Sequence, residues 1–146
     1  CTSWKGKSWV ISPQVIQQVY TGYFGEQVFK AILENAACNV GSLPEKIWER
    51  ADWVVNDKLY VDVKFMSDSD FNQHVNAQSW ERKIRECGGS YIVVNVPRYA
   101  GNYSFTHTIQ LEGGANLPII NGLIDVETGA ILDKNVQAVL EKLNIV

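Results

Sequence analysis

The stretch from Arg50 to Met66 constrains the fold more than any other part of the chain. Ala51, Trp53 and Val55 alternate with Asp52 and Val54, and Leu59, Val61, Val63 and Phe65 alternate with Tyr60, Asp62 and Lys64. Apolar alternation with a period of two calls for β-strands that turn one greasy face inward. The two runs are separated by Asn56, Asp57 and Lys58, which makes them a hairpin with a short loop. That loop pairs Val55 with Leu59, Trp53 with Val61 and Ala51 with Val63, so that apolar meets apolar throughout. A slip of one residue would mix the faces. In this register Asp52 lies opposite Asp62 with β-carbons roughly 5 Å apart, and Lys64 follows on the same face roughly 7 Å from Asp62.

Like charges facing each other across a sheet are destabilising unless something offsets the repulsion. A divalent cation does so: Mg²⁺ takes oxygen ligands, usually one or two carboxylates completed by water and phosphate oxygens. A lysine beside such a cation can orient or deprotonate water, or hold a phosphate. The plainer alternative is a surface hairpin with a wet polar face. Opposed carboxylates set among β-branched residues favour a site.

Asp52, followed ten positions on by Asp62-Val63-Lys64 at the end of a hairpin, resembles the PD-(D/E)xK nuclease superfamily. The resemblance covers about Gly22 to Pro97 and carries Ala51 where the family's name has proline. It implies a restriction-endonuclease-like fold and a Mg²⁺-dependent endonuclease that hydrolyses phosphodiester bonds of DNA or RNA. It further implies that Asp52, Asp62, Glu26 and the Val63 carbonyl hold the metal, with Mn²⁺ substituting, and that Lys64 assists the attacking water. Glu26 lies in Gly25-Glu26-Gln27-Val28-Phe29, on the helix before the hairpin. Its plain role there is to complement the helix dipole. Members of the superfamily carry a further strand between that helix and the Asp-bearing strand. Val40 to Glu49, with Gly41 and Pro44, instead reads as a turn-rich connection with little room for one.

With 146 residues, 46% of them hydrophobic, the chain suits one domain with a real core, residues 1–146, the nuclease-like part spanning about 13–97 and a C-terminal extension 98–146. No apolar run reaches membrane-span length and no signal peptide opens the chain, so a cytoplasmic protein without a membrane partner is expected. It begins at Cys1 rather than methionine, which also suits a domain cut from a longer, secreted precursor. Cys1, Cys38 and Cys87 are widely spaced and odd in number, and read as free thiols rather than a zinc site or disulfide framework. The net charge of −3 argues mildly against a protein that coats nucleic acid. Its distribution softens that: eleven Lys/Arg balance eleven Asp/Glu through Ala100, and two stand against five afterwards. Nucleic acid is the expected partner, DNA ahead of RNA.

Taken in order, Trp4, Lys5, Lys7 and Trp9 interleave aromatic and basic residues, a pattern that can touch bases and phosphates but more often packs on a domain. Ser12-Pro13 opens a helix whose stripe runs Val15, Ile16, Val19, Tyr20 and Tyr23. Gly22 and Gly25 are expected to kink or break it, and Gly25 would let a metal or phosphate approach the backbone. A second portion repeats the stripe with Val28, Phe29, Ile32 and Leu33. After the hairpin, Ser67 to Asp70 is a loop that leads into one helix reaching about Cys87, with Ala77, Trp80, Ile84 and Cys87 buried. Gln78, Arg82 and Lys83 on this helix are candidate nucleic-acid contacts, against the ordinary reading of a solvated face. His74 is a candidate neighbour of the site. Ser90 to Pro97 is an apolar run that suits a strand buried on both faces beside the hairpin.

Ser104 to Leu111 alternates like an edge strand, and Gly113 to Asn121 reads as a loop. Leu123 to Leu132 reads as another hairpin, and Asp133 caps a terminal helix with Val136, Val139, Leu140 and Leu143 inward. The expectation is an α/β domain, a mixed sheet flanked by helices with an extra C-terminal hairpin and helix. Three rival functions stand beside the nuclease: a nuclease-like domain that binds nucleic acid or protein without cutting, a toxin nuclease matched by an immunity protein, and a plain interaction module. A homodimer is compatible with a nuclease of this size.

Overall fold

In the computed structural model, which describes residues 13–98, 106–125, 127–128, 130–131 and 133–145, helices cover both faces of a six-stranded sheet. The elements run α1 (Pro13–Asn35), β1 (Val40–Gly41), a 3₁₀ turn (Glu45–Ile47), β2 (Trp53–Val55) and β3 (Leu59–Lys64). Then come α2 (Asp68–Ala77), α3 (Glu81–Cys87), β4 (Ser90–Asn95), β5 (Thr106–Gln110), β6 (Asn116–Asn121) and α4 (Asp133–Ile145). The strand order is β1-β2-β3-β4-β6-β5. β3, β4 and β6 are mutually parallel, while β1, β2 and β5 pair antiparallel with their neighbours. The chain is therefore an α/β protein with a mixed sheet.

The hairpin register is the one the alternation dictates, Val55 opposite Leu59 and Trp53 opposite Val61. Asn56 and Asp57 make the turn in left-handed backbone, φ 51° and 56°, a region these two residue types tolerate. The alternation also sorts the core. Leu59, Val61 and Val63 face α1 and α4, among Phe29, Leu33, Val139 and Leu143. Val54, Tyr91, Val93 and Ile119 face the other way, against Phe71 and Val75 of α2 and Trp80 beside α3. β4 is buried on both faces along Tyr91 to Asn95, as its unbroken apolar run requires.

Several elements differ from the sequence expectation, each for a physical reason. α1 runs unbroken through Gly22 and Gly25. Gly25 does not break the helix: a β-carbon there would lie 2.8 Å from the Phe65 β-carbon, so the glycine lets helix and sheet approach closely. The expected single helix to Cys87 is two. Gln78 is extended at the end of α2, and the Trp80 indole donates to the Val75 carbonyl at 3.0 Å, docking the chain between the helices. The first of them starts at Asp68, earlier than expected, with the Ser67 hydroxyl accepting the Asp70 N–H. Ala77, expected in the buried stripe, is exposed.

The connection after α1 does hold a strand, short as it is: Val40 pairs with Val55 and Gly41 with Val54. The expected loop before Asn121 is β6, seated between β4 and β5. Pro118 precedes Ile119, where pairing with β4 begins, so its missing N–H is not asked of that ladder. Of the expected C-terminal hairpin, the described residues carry an antiparallel bridge, Ile124 with Ile131, and the Asp125 N–H donating to the Ala130 carbonyl at 2.8 Å. Trp4, Lys5, Lys7 and Trp9, the side chains of the first α1 stripe through Tyr20, and Val126, Gly129 and Leu132 lie outside the described residues. Among the described residues no helix is long and apolar enough to cross a membrane.

Candidate active site

Four predicted residues, Glu26, Asp52, Asp62 and Lys64, belong to one electrostatic neighbourhood, and different elements supply them. α1 brings Glu26. The helix is held beside β2 by the Trp53 indole, which donates to the Glu26 carbonyl at 3.1 Å and lies under the Lys30 ammonium, 5.1 Å from the ring centre. Asp52 stands just before β2. Its backbone N–H donates to the Val61 carbonyl at 2.9 Å, but the ladder stops there. The Val63 N–H is taken instead by the Asp52 carboxylate, at 2.6 Å. The expected Ala51–Val63 pair is thus replaced by a side chain, and the two acids are fixed at the end of the hairpin.

Asp62 is 5% exposed, on the sheet face packed by α2 and α3. The Lys64 ammonium lies 3.1 Å from Asp62 Oδ2. That contact is an ion pair, and among the described residues this buried oxygen accepts no well-directed hydrogen bond. A buried carboxylate beside a second acid, with one lysine as counter-charge, can also accept a cation. Burial first, and then the neighbouring Glu26 carboxyl, push the Asp52 carboxyl up to about 7, against the lowering effect of the Val63 N–H. Burial likewise raises Asp62, to about 6; Lys64 opposes the rise and Asp52 adds to it. The carboxyls therefore share a space that resists two negative charges. Two adjacent buried carboxylates suit a hard cation that completes its shell with water. Among the described residues, no three His, Cys, Asp or Glu side chains gather as a metal-ligating group.

His74, on α2, lies within electrostatic reach of the site. Burial lowers its pKa, Lys64 and Lys83 act in the same sense, and Asp62 acts against them. Among the described residues its buried Nε2 has no hydrogen-bond partner, and its ring stands edge-on to Trp80 with centroids 6.3 Å apart.

The other candidates are drawn into local contacts. Arg82 pairs with Glu86 at 2.8 Å, and the Lys83 ammonium sits 4.9 Å from the Trp80 ring centre. Gln78 ends α2. Lys5 and Lys7 lie outside the described residues.

Sequence reasoning missed the groups that brace this site. Arg50, two residues before Asp52, is anchored twice: its guanidinium pairs with Glu86, and its carbonyl accepts the Tyr91 hydroxyl. Asn95 and Asn121, both 0% exposed, share a register row with Lys64 along β3, β4 and β6. A polar residue ends each of two buried apolar runs, Ile92-Val93-Val94-Asn95 and Ile119-Ile120-Asn121, and that repetition was the available signal.

No protein-family model matches the chain, and no curated protein matches it.

Proposed function

We propose that this chain is a metal-dependent nuclease with a restriction-endonuclease-like fold, hydrolysing phosphodiester bonds of DNA or RNA at the Glu26, Asp52, Asp62 and Lys64 site. One observation carries the reading. Asp52 grips the Val63 peptide at 2.6 Å while Lys64 sits 3.1 Å from Asp62, so two buried acids and the lysine are held as a unit at the end of the hairpin. One lysine faces two carboxyls that burial makes hard to ionise, which leaves the group short of positive charge.

Asp52 and Asp62 would hold Mg²⁺ or Mn²⁺, with Glu26 and the Val63 carbonyl nearby. When bound, the metal supplies Lewis acidity toward the scissile phosphate and toward water. The chain's own residues do the rest. Asp52 fixes the peptide that separates the second acid from the lysine. Lys64, partly exposed, can orient a water for attack or neutralise charge that develops on the phosphate oxygens. Glu26 meets Asp52 through a side-chain hydrogen bond, and its charge adds to the repulsion there.

The test is cleavage of single- and double-stranded DNA and RNA with Mg²⁺ or Mn²⁺ against a chelator control, for the wild type, Asp62→Ala and Lys64→Ala. Metal-dependent cleavage by the wild type, lost in both variants, is expected. Cleavage that survives in Asp62→Ala, or no cleavage together with no calorimetric binding of either metal in the presence of nucleic acid, overturns the proposal.

A further inference from the structure

Two asparagines end the buried apolar runs of β4 and β6 in the row that begins with Lys64, and every side-chain polar atom of Asn95 is engaged. Its Oδ1 accepts the Met66 N–H at 3.0 Å, while its Nδ2 donates to the Met66 carbonyl at 3.1 Å and to Asn121 Oδ1 at 2.9 Å. Asn121 Nδ2 in turn donates to Asp68 Oδ1 at 2.7 Å, at the start of α2. The Asn95 amide thus holds both polar groups of the residue two places beyond Lys64. The Lys64 carbonyl is itself bound by the Val96 N–H at 2.7 Å. On the other side of Lys64, Asp52 holds Val63. Lys64 is therefore flanked by two holds on the backbone, an acid at Val63 before it and an amide at Met66 after it.

An apolar pair of similar volume would fill this part of the core without two buried amides to satisfy. From this we infer that Asn95 is a positioning residue: it sets the backbone on which Lys64 is presented to Asp62, and through Asn121 and Asp68 it ties α2 to the same strand end. The inference rests on the proposed nuclease reading for its catalytic consequence, but its structural consequence stands apart. A lysine displaced by about 1 Å from a reacting group loses on the order of 100-fold in rate. Binding of substrate through the rest of the surface is untouched by such a shift.

The experiment compares wild type, Asn95→Leu and Val139→Ala by steady-state cleavage and by crystallography. Val139, fully buried in α4 on the opposite face of the sheet, is a control for lost core packing away from the site. Asn95→Ser, smaller and still polar, takes the place of Asn95→Leu should that variant fail to fold. Expected is a drop in kcat of about 100-fold with KM within about threefold for the Asn95 variant, little change for Val139→Ala, and a Lys64–Asp62 contact that opens in the Asn95 crystal structure. Unchanged kcat with the contact retained overturns the inference, as does an equal loss in Val139→Ala. Should the wild type cut no nucleic acid, the proposed function fails, and the crystal structures alone decide: an opened contact supports positioning by Asn95 and a retained one overturns it.

Discussion

Asp52 Oδ2 lies 2.6 Å from the Val63 backbone nitrogen, so the side chain of one strand completes the ladder of the next. This bond opposes the burial that raises the Asp52 carboxyl, because a carboxylate accepts an N–H better than a carboxylic acid does. It also gives Asp52 two separable duties, holding a peptide and carrying charge.

Substitutions at Asp52 should separate those duties. Asp52→Asn keeps an acceptor for Val63 and removes the charge; its metal-free form should melt no lower than wild type at about pH 8, while calorimetric Mn²⁺ binding is lost. Asp52→Ala leaves the Val63 N–H unbonded and should cost about 1–3 kcal/mol in denaturant unfolding. Equal destabilisation by both would show that the charge, not the acceptor, matters to stability.

The raised carboxyls set a direction for pH dependence. From an ordinary value of 3.8, Asp52 rises to about 7 and Asp62 to about 6 in the folded chain. The native state thus binds these protons more tightly than the unfolded state. The stability they contribute is complete below the unfolded value and is lost as pH rises through the folded values. Metal-free protein should therefore show a melting temperature that falls from about pH 5 to about pH 8, and added Mg²⁺ should recover the loss at the upper end. A scan across that window checks it, and a flat profile would mean that the acids do not share one buried space.

Lys64→Ala removes the cation that opposes burial of Asp62. Cleavage should fall on the order of 100-fold or more. The variant should remain folded, with a larger deficit in melting temperature at about pH 8 than at about pH 5, since protonated Asp62 needs no counter-charge. Retained full activity would take the lysine out of the mechanism.

Gly25→Ala places a β-carbon 2.8 Å from the Phe65 β-carbon. Overpacking of this kind costs about 1–3 kcal/mol, read from denaturant unfolding. Because the clash is with the β-carbon rather than the ring, Phe65→Ala should not rescue it. A neutral Gly25→Ala would mean that α1 can back away from β3.

What the sequence made legible follows the range over which each signal acts. The hairpin and its acids were readable because a period of two and a short loop leave one register for Val55, Leu59, Trp53 and Val61. Asn95 and Asn121 were not, because their meaning arises only when β4 and β6 align in parallel, a pairing that no local pattern specifies. β6 was read as loop because Gly113, Gly114 and Pro118 are turn residues in isolation; in place, Pro118 precedes the β4 ladder. The break between α2 and α3 has no glycine or proline to announce it. It is imposed by the Trp80 indole finding the Val75 carbonyl. Gly25 misled in the opposite sense, since its neighbour across the core, Phe65, turns an apparent helix breaker into a packing contact.

The parallel pairing of β3 with β4 also divides the contacts of the candidate site by their distance along the chain. Asp52 and Asp62 meet across a hairpin turn, whereas the parallel ladders close long stretches of chain, the kind of pairing that slows folding. The bonds that fasten the lysine's strand end through Asn95 and bring α1 to Trp53 are of the long-range kind. Two like charges held by a local turn alone would repel, so the tolerance for them is supplied by the remainder of the sheet.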